Sequence, residues 1–232
     1  MSGLIDTFIA PPCYEQIDIL YQDAYLLLIN KPSGLLSLSG KDPQNRDSVH
    51  YRLVQQFPGC ALVHRLDFGT SGLMVVARDK ATNAALCKQF SQRVVTKGYS
   101  ALLCGHVLED SGVIDAPIAK DPALFPLMSI CAERGKPARS HYRVVERFYQ
   151  QTEMQAPLPL TRVELTPETG RTHQLRLHCQ QLGHPIVGCD LYGGRLWPGT
   201  EQTPRLMLHA CALDFRHPVS GEPIAARHAS AF

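Results

Sequence analysis

An α+β fold, built on a mostly antiparallel mixed sheet, is what this 232-residue sequence predicts. Strand-sized apolar runs recur along the whole chain, and alternation is clearest in Ser140–Tyr149 and Leu160–Leu165. Helical spacing is confined to a few short stretches, so strands dominate the element order. A hydrophobic content of 44% with 19% charged residues is that of a soluble globular protein, and the length suits one large domain or two small lobes.

In chain order, residues 1–16, with Pro11-Pro12, predict an irregular lead-in. Ile17–Tyr21 and Tyr25–Asn30 read as short strands joined by Gln22-Asp23-Ala24. Ser48–Phe57 places Val49, Leu53, Val54 and Phe57 at helical spacing, and Pro58-Gly59 ends it. Cys60–Val63 and Leu73–Ala77 are apolar strands on either side of a polar turn. Asp79 caps a predicted helix from Lys80 to about Arg93, whose buried stripe would be Ala81, Ala84, Ala85 and Phe90. Lys97–Cys104, Gly112–Ile118, Ser140–Tyr149 and Leu160–Leu165 continue the β pattern, with Gln150–Pro159 a polar loop. Thr172 is the expected N-cap of a helix running to Leu182, stopped by Gly183 and followed by Pro185. Arg205–Phe215 reads as two short strands or one bent one, before a terminal tail.

Several function classes are excluded by what is missing. The N-terminus lacks a basic segment followed by an apolar core, so no signal peptide is expected, and aliphatic runs such as Leu26–Ile29 are too short to span a bilayer. Eight cysteines without a Cys-x-x-Cys pair read as reduced, mostly buried thiols of a cytoplasmic protein. Neither a phosphate-binding loop nor a dinucleotide fingerprint occurs, so no nucleotide cofactor is expected. A serine nucleophile elbow is also lacking. A metal set of His64, Asp67, His173 and His178 is disfavoured because the last two lie five apart, roughly 140° around a helix. With a net charge of +2, any nucleic-acid site must come from local clustering of cations.

The stretch His64-Arg65-Leu66-Asp67-Phe68-Gly69-Thr70-Ser71-Gly72-Leu73 sets one carboxylate in a turn between strands, beside a cation. Read locally, Asp67 either caps backbone groups or is held over a cleft for chemistry. Lys31, in Asn30-Lys31-Pro32-Ser33-Gly34-Leu35, either rims that cleft or is a solvated hairpin lysine.

These motifs bring a resemblance. His64–Asp67, Lys97-Gly98-Tyr99 and Gly170-Arg171-Thr172-His173-Gln174-Leu175-Arg176-Leu177-His178 resemble the motifs of the RluA family of RNA pseudouridine synthases. Asn30–Leu35, Gly135–Ala138 and Gly183–Gly188 match in the same order, covering roughly residues 17–218. With no appended S4-type RNA-binding domain, the chain is most similar to the subgroup of that family whose members modify uridines in both rRNA and tRNA. Phe68-Gly69 and Ile224–His228 depart from the family's pattern.

The resemblance implies one catalytic domain over 17–232, two lobes around a central cleft, no cofactor and no metal, with a monomer acting on stem-loops of rRNA, tRNA or both. Asp67 becomes the nucleophile, a role suited to a carboxylate that is ionised at neutral pH. Arg176, with Arg171 as second candidate, would keep it charged. Tyr99 would lie on the target uracil and Leu175 form an apolar wall. The base must be extruded from its helix, and Arg65 would enter the vacated space. Lys31, His64, Arg171 and His173 are expected RNA contacts. The rival reading is a non-catalytic RNA-binding or ribosome-assembly protein, and a weaker one is a base-excising glycosidase.

Overall fold

The computed structural model describes residues 8–121, 127–151, 157–193, 203 and 205–232. The α+β expectation holds. The chain forms two compact units, one made of Ile9–Gly98 with His209–Phe232, the other of Tyr99–Leu208.

In the discontinuous unit, β1 (Asp18–Gln22) pairs antiparallel with β2 (Leu26–Lys31). The turn between them forms because Asp23 accepts hydrogen bonds from the Tyr25 and Leu26 amides. Helix α1 (Val49–Gln56) starts at Ser48, whose hydroxyl accepts from the Tyr51 amide. Strand β3 is the short Ala61–Leu62, and β4 is Ser71–Ala77.

β4 organises this unit. It pairs with β2 along its length, with β3 at its last residues, and with β11 (Leu208–Arg216) in parallel at Ser71 and Gly72. All seven of its residues are buried, which is why its sequence is one apolar run without alternation. β12 (Pro223–Arg227), within the expected tail, pairs antiparallel with β11. Its sequence, Pro-Ile-Ala-Ala-Arg, alternates too weakly to announce a strand.

Helix α2 (Lys80–Ser91) begins at Asp79 as expected, its carboxylate accepting from the Thr82 amide and hydroxyl. The predicted buried stripe is corrected: Thr82 and Leu86 are buried, whereas Ala81 and Ala84 face solvent. The sheet it covers is reached by the larger side chain. Leu86 packs with Leu26, Leu28, Leu73, Val75 and Phe215 into this unit's core.

β5 (Thr96–Cys104) and β11 each straddle the boundary between the units, so the chain crosses twice. The continuous unit has its own antiparallel order β5, β10 (Leu158–Pro167), β9 (Arg139–Gln150) and β6 (Ser111–Asp115). A separate ribbon joins β7 (Ile118–Lys120) to β8 (Met128–Ile130), the latter not expected from sequence. Helix α3 (Gln174–Gln181) follows β10. Thr172 is not its N-cap: that position belongs to His173, in the left-handed conformation at φ 56° and without a side-chain cap. Of the predicted loops, residues 1–7 and 152–156 lie outside the described residues, and residues 8–16 carry no helix or strand.

Candidate active site

Asp67 opens a turn closed by the Thr70 amide donating to the Asp67 carbonyl at 3.1 Å. The turn is gripped from behind by the segment that follows β2. The Ser37 hydroxyl donates to the Leu66 carbonyl at 2.6 Å, and its oxygen lies 3.2 Å from the Leu66 amide. The Gly34 amide donates to the Phe68 carbonyl, and the Ser33 hydroxyl to the Gly69 carbonyl at 2.7 Å.

Lys31 completes the grip. Its side chain is fully buried, and its ammonium donates to the carbonyls of Pro32, Leu35 and Phe68 at 2.8, 2.7 and 3.2 Å. This corrects the expectation of an RNA contact, since an ammonium so enclosed does not present itself to a polyanion. It ties the Pro32–Leu35 turn to the Asp67 turn. The Asp67 side chain itself is half-buried, and among the described residues no group hydrogen-bonds to it. The backbone-capping reading therefore has no bond to rest on. Arg65, two residues earlier, is exposed.

His64 also holds the loop. Its Nε2 accepts the Val75 amide at 3.2 Å, and its ring stacks on Phe90 with centroids 4.8 Å apart. Burial, with the charge of Lys97 adding to it, pushes its pKa down to about 4. The occupied acceptor nitrogen pins the start of the loop to β4 and leaves the proton of the neutral ring on Nδ1.

The other predicted residues lie in the continuous unit. Tyr99 on β5 is half-buried, faces Leu165 of β10 in register, and packs against this unit's core. Leu175 and Arg176 open α3, 7% and 4% exposed. The Arg176 guanidinium donates through Nε and Nη2 to Cys189 Sγ at 3.3 Å, pairs with Asp190, and lies 5.3 Å from the centre of the Tyr192 ring. Such a buried planar cation is fixed in orientation by several partners at once. His173 Nδ1 is 2.7 Å from the Tyr192 hydroxyl. Arg171 donates from Nε to the Pro137 carbonyl at 3.0 Å, which binds the Gly135–Ala138 segment to the start of α3.

Sequence reading missed the residues that hold α3. Gln174 Oε1 accepts from the Thr169 hydroxyl and the Arg171 amide, while its Nε2 donates to the Arg139 carbonyl and Ser140 hydroxyl. His178, one turn on, sits with Nδ1 2.9 Å from Ser140 Oγ and Nε2 3.1 Å from the Ala116 carbonyl. Burial holds its pKa below the usual value. Both of its nitrogens are engaged, so it is unsuited to the metal set considered above. The signal was the Gln174/His178 spacing of four, which puts two polar groups on one buried helix face.

A family model described as RNA pseudouridylate synthase matches residues 25–181. The dual-specificity RNA pseudouridine synthase RluA of Vibrio vulnificus is 45% identical over 211 residues, covering 90% of this chain and 82% of that protein. The protein of the same name from Pasteurella multocida is 44% identical, covering 91% of this chain and 92% of that one. Among solved structures, human RNA pseudouridylate synthase domain containing 1 superimposes with a TM-score of 0.78 at 34% identity, covering 96% of this chain and 86% of the other.

Proposed function

The chain belongs to the RNA pseudouridylate synthase family and is an isomerase of that kind, and from this premise we propose that Asp67 is its nucleophile. The observation that carries the assignment is the turn just described. Its backbone is clamped at Leu66, Phe68 and Gly69, while the carboxylate it displays is left uncommitted. Rigid presentation of one ionised group is what a near-attack geometry requires.

In the reaction, the N1–C1′ bond of a uridine breaks, the base turns, and a C1′–C5 bond forms. The C5 proton leaves and N1 gains one, so no redox partner or energy source enters. Asp67 forms and later releases a covalent bond to the substrate. In the RNA complex Arg176 is the cation that orients that carboxylate, and Tyr99 stacks on the uracil and takes the C5 proton. Base stacking on an aromatic ring contributes roughly 1–3 kcal/mol. Leu175 walls the base, Arg171 and His173 line its approach, and Arg65 fills the space the extruded nucleotide leaves. Its substrates in this reading are stem-loops of rRNA, tRNA or both, and it acts as a cytoplasmic monomer.

Asp67→Asn tests this. Pseudouridine mapping of RNA from cells with and without the protein names the target, and the variant should bind that RNA with unchanged affinity and form no pseudouridine. Wild-type turnover by the variant would remove Asp67 from the chemistry. Free uracil as product would mean excision instead.

A further inference from the structure

A group of cations in the discontinuous unit is left unexplained by the chemistry above. From Lys80 to Lys97 the sequence holds Lys80, Lys88, Arg93 and Lys97 and not a single Asp or Glu. Among the described residues, neither Arg93 nor Lys97 makes an ion pair. Arg93 is exposed and Lys97 half-buried. Burial, with the charge of Arg93 adding to it, holds the Lys97 ammonium below its usual pKa, and Lys97 in turn disfavours charge on His64. Arg93 and Lys97 thus form one cationic neighbourhood with no ion-pair partner among the described residues, and the neutral His64 ring lies within reach of its field.

That neighbourhood abuts the nucleophile's loop. Phe90, in the last turn of α2, stacks on His64, and the Cys87 thiol points to the Val63 carbonyl at 3.9 Å. His64 is followed directly by Arg65, Leu66 and Asp67. The turn that carries Arg93 is also unusual. Arg93 sits at φ 58°, just past the C-cap of α2, with its amide on the Phe90 carbonyl and the Val94 amide on the Gln89 carbonyl. Glycine is the residue this position ordinarily takes. A helix C-terminus attracts cations, which accounts for Lys88. It does not account for a cation held in the left-handed region, nor for a half-buried lysine on the following strand.

We propose that Arg93 and Lys97 together bind a backbone phosphate of the substrate RNA, flanking the uridine presented to Asp67. An arriving phosphate supplies the negative charge the cluster lacks and offsets the cost of desolvating Lys97. The inference rests on the isomerase reading of the Asp67 loop and adds the element that grips the strand beside it.

The test uses the stem-loop transcript around the uridine found by mapping, with Arg93→Gly, Lys97→Ala and Lys97→Arg in the full chain. Arg93→Gly and Lys97→Ala should each weaken binding by about tenfold and make the dependence of log K on log salt shallower by about one. Turnover at saturating RNA should stay within about twofold of wild type, since neither residue touches the base. Lys97→Arg should bind like wild type. Arg93→Gly suits the left-handed backbone, so its melting temperature should equal or exceed that of wild type while its affinity falls. That opposition separates a ligand contact from a structural one, and Arg93→Gly alone decides the matter if Lys97→Ala does not fold. Unchanged affinity and salt slope in a folded Arg93→Gly would overturn the proposal, as would failure of Lys97→Arg to bind. Should wild type bind this RNA through Arg93 and Lys97 without converting it, the isomerase reading would fall and the phosphate site would stand.

Discussion

Two side chains show how a residue's neighbours overrule its type. Lys31 lies in Asn-Lys-Pro-Ser-Gly, which reads as a solvated turn, yet carbonyls from both its own turn and Phe68 enclose its ammonium. No local pattern reports a partner so far along the chain. Lys31→Met leaves those carbonyls short of a donor in a buried site, and should cost about 3 kcal/mol in urea unfolding. Turnover should fall with it, because the Asp67 turn loses a clamp. His64 carries a pH prediction. Its folded pKa of about 4 lies below the usual 6.5, so the unfolded chain takes up its proton first. The stability that the neutral ring confers is complete above about pH 6.5 and is lost as pH falls toward 4. His178 shifts in the same direction, so its contribution is likewise present above the usual histidine value and lost on acidification. The share belonging to His64 is read as the difference in pH dependence between wild type and His64→Gln, whose amide oxygen can still accept from Val75. Equal profiles would show that the ring titrates normally.

At the scale of elements, boundaries backed by caps were legible. Ser48 and Asp79 start α1 and α2 as their chemistry requires. Missed elements had little local signal: β8 is three residues long, and β12 carries a proline at its start. The start of α3 was misread because Thr172 is the commoner capping type, whereas the helix is anchored through buried Gln174. The motifs placed Asp67 in a turn before β4 correctly, but not the segment that holds the turn. Gly72 governs the junction of β4 with β11. It sits at φ 114°, and a Cβ there would lie 2.4 Å from the Ala210 carbonyl oxygen and 2.6 Å from its amide nitrogen. Those are backbone atoms that cannot rotate aside. Gly72→Ala should lower stability by about 2 kcal/mol or more, measured by thermal or urea unfolding.

For the whole molecule, where charge is paired matters more than the net +2. The outer face of β9 and β10 carries the ion pairs Arg143 with Glu164 and Arg162 with Glu146, each at 2.7 Å, beside a His141–Glu168 hydrogen bond at 2.6 Å. Exposed pairs of this kind contribute about 0–1 kcal/mol and present little net field. Arg143→Ala should therefore leave both RNA affinity and its salt dependence at wild-type levels, in contrast to Arg93. Composition could report the totals but not this difference, because pairing depends on strand register. The double crossing of the chain through β5 and β11 has a consequence for biosynthesis. Ser71 meets its hydrogen-bonding partner His209 across 138 residues of sequence. A ribosome adding roughly 5–20 residues per second leaves the strand after the Asp67 turn without that neighbour for many seconds. A nascent chain stalled before His209 has translated every motif of the catalyst yet lacks the strand that completes its bed. Competence thus arrives late in synthesis, and premature products should be inert and readily degraded.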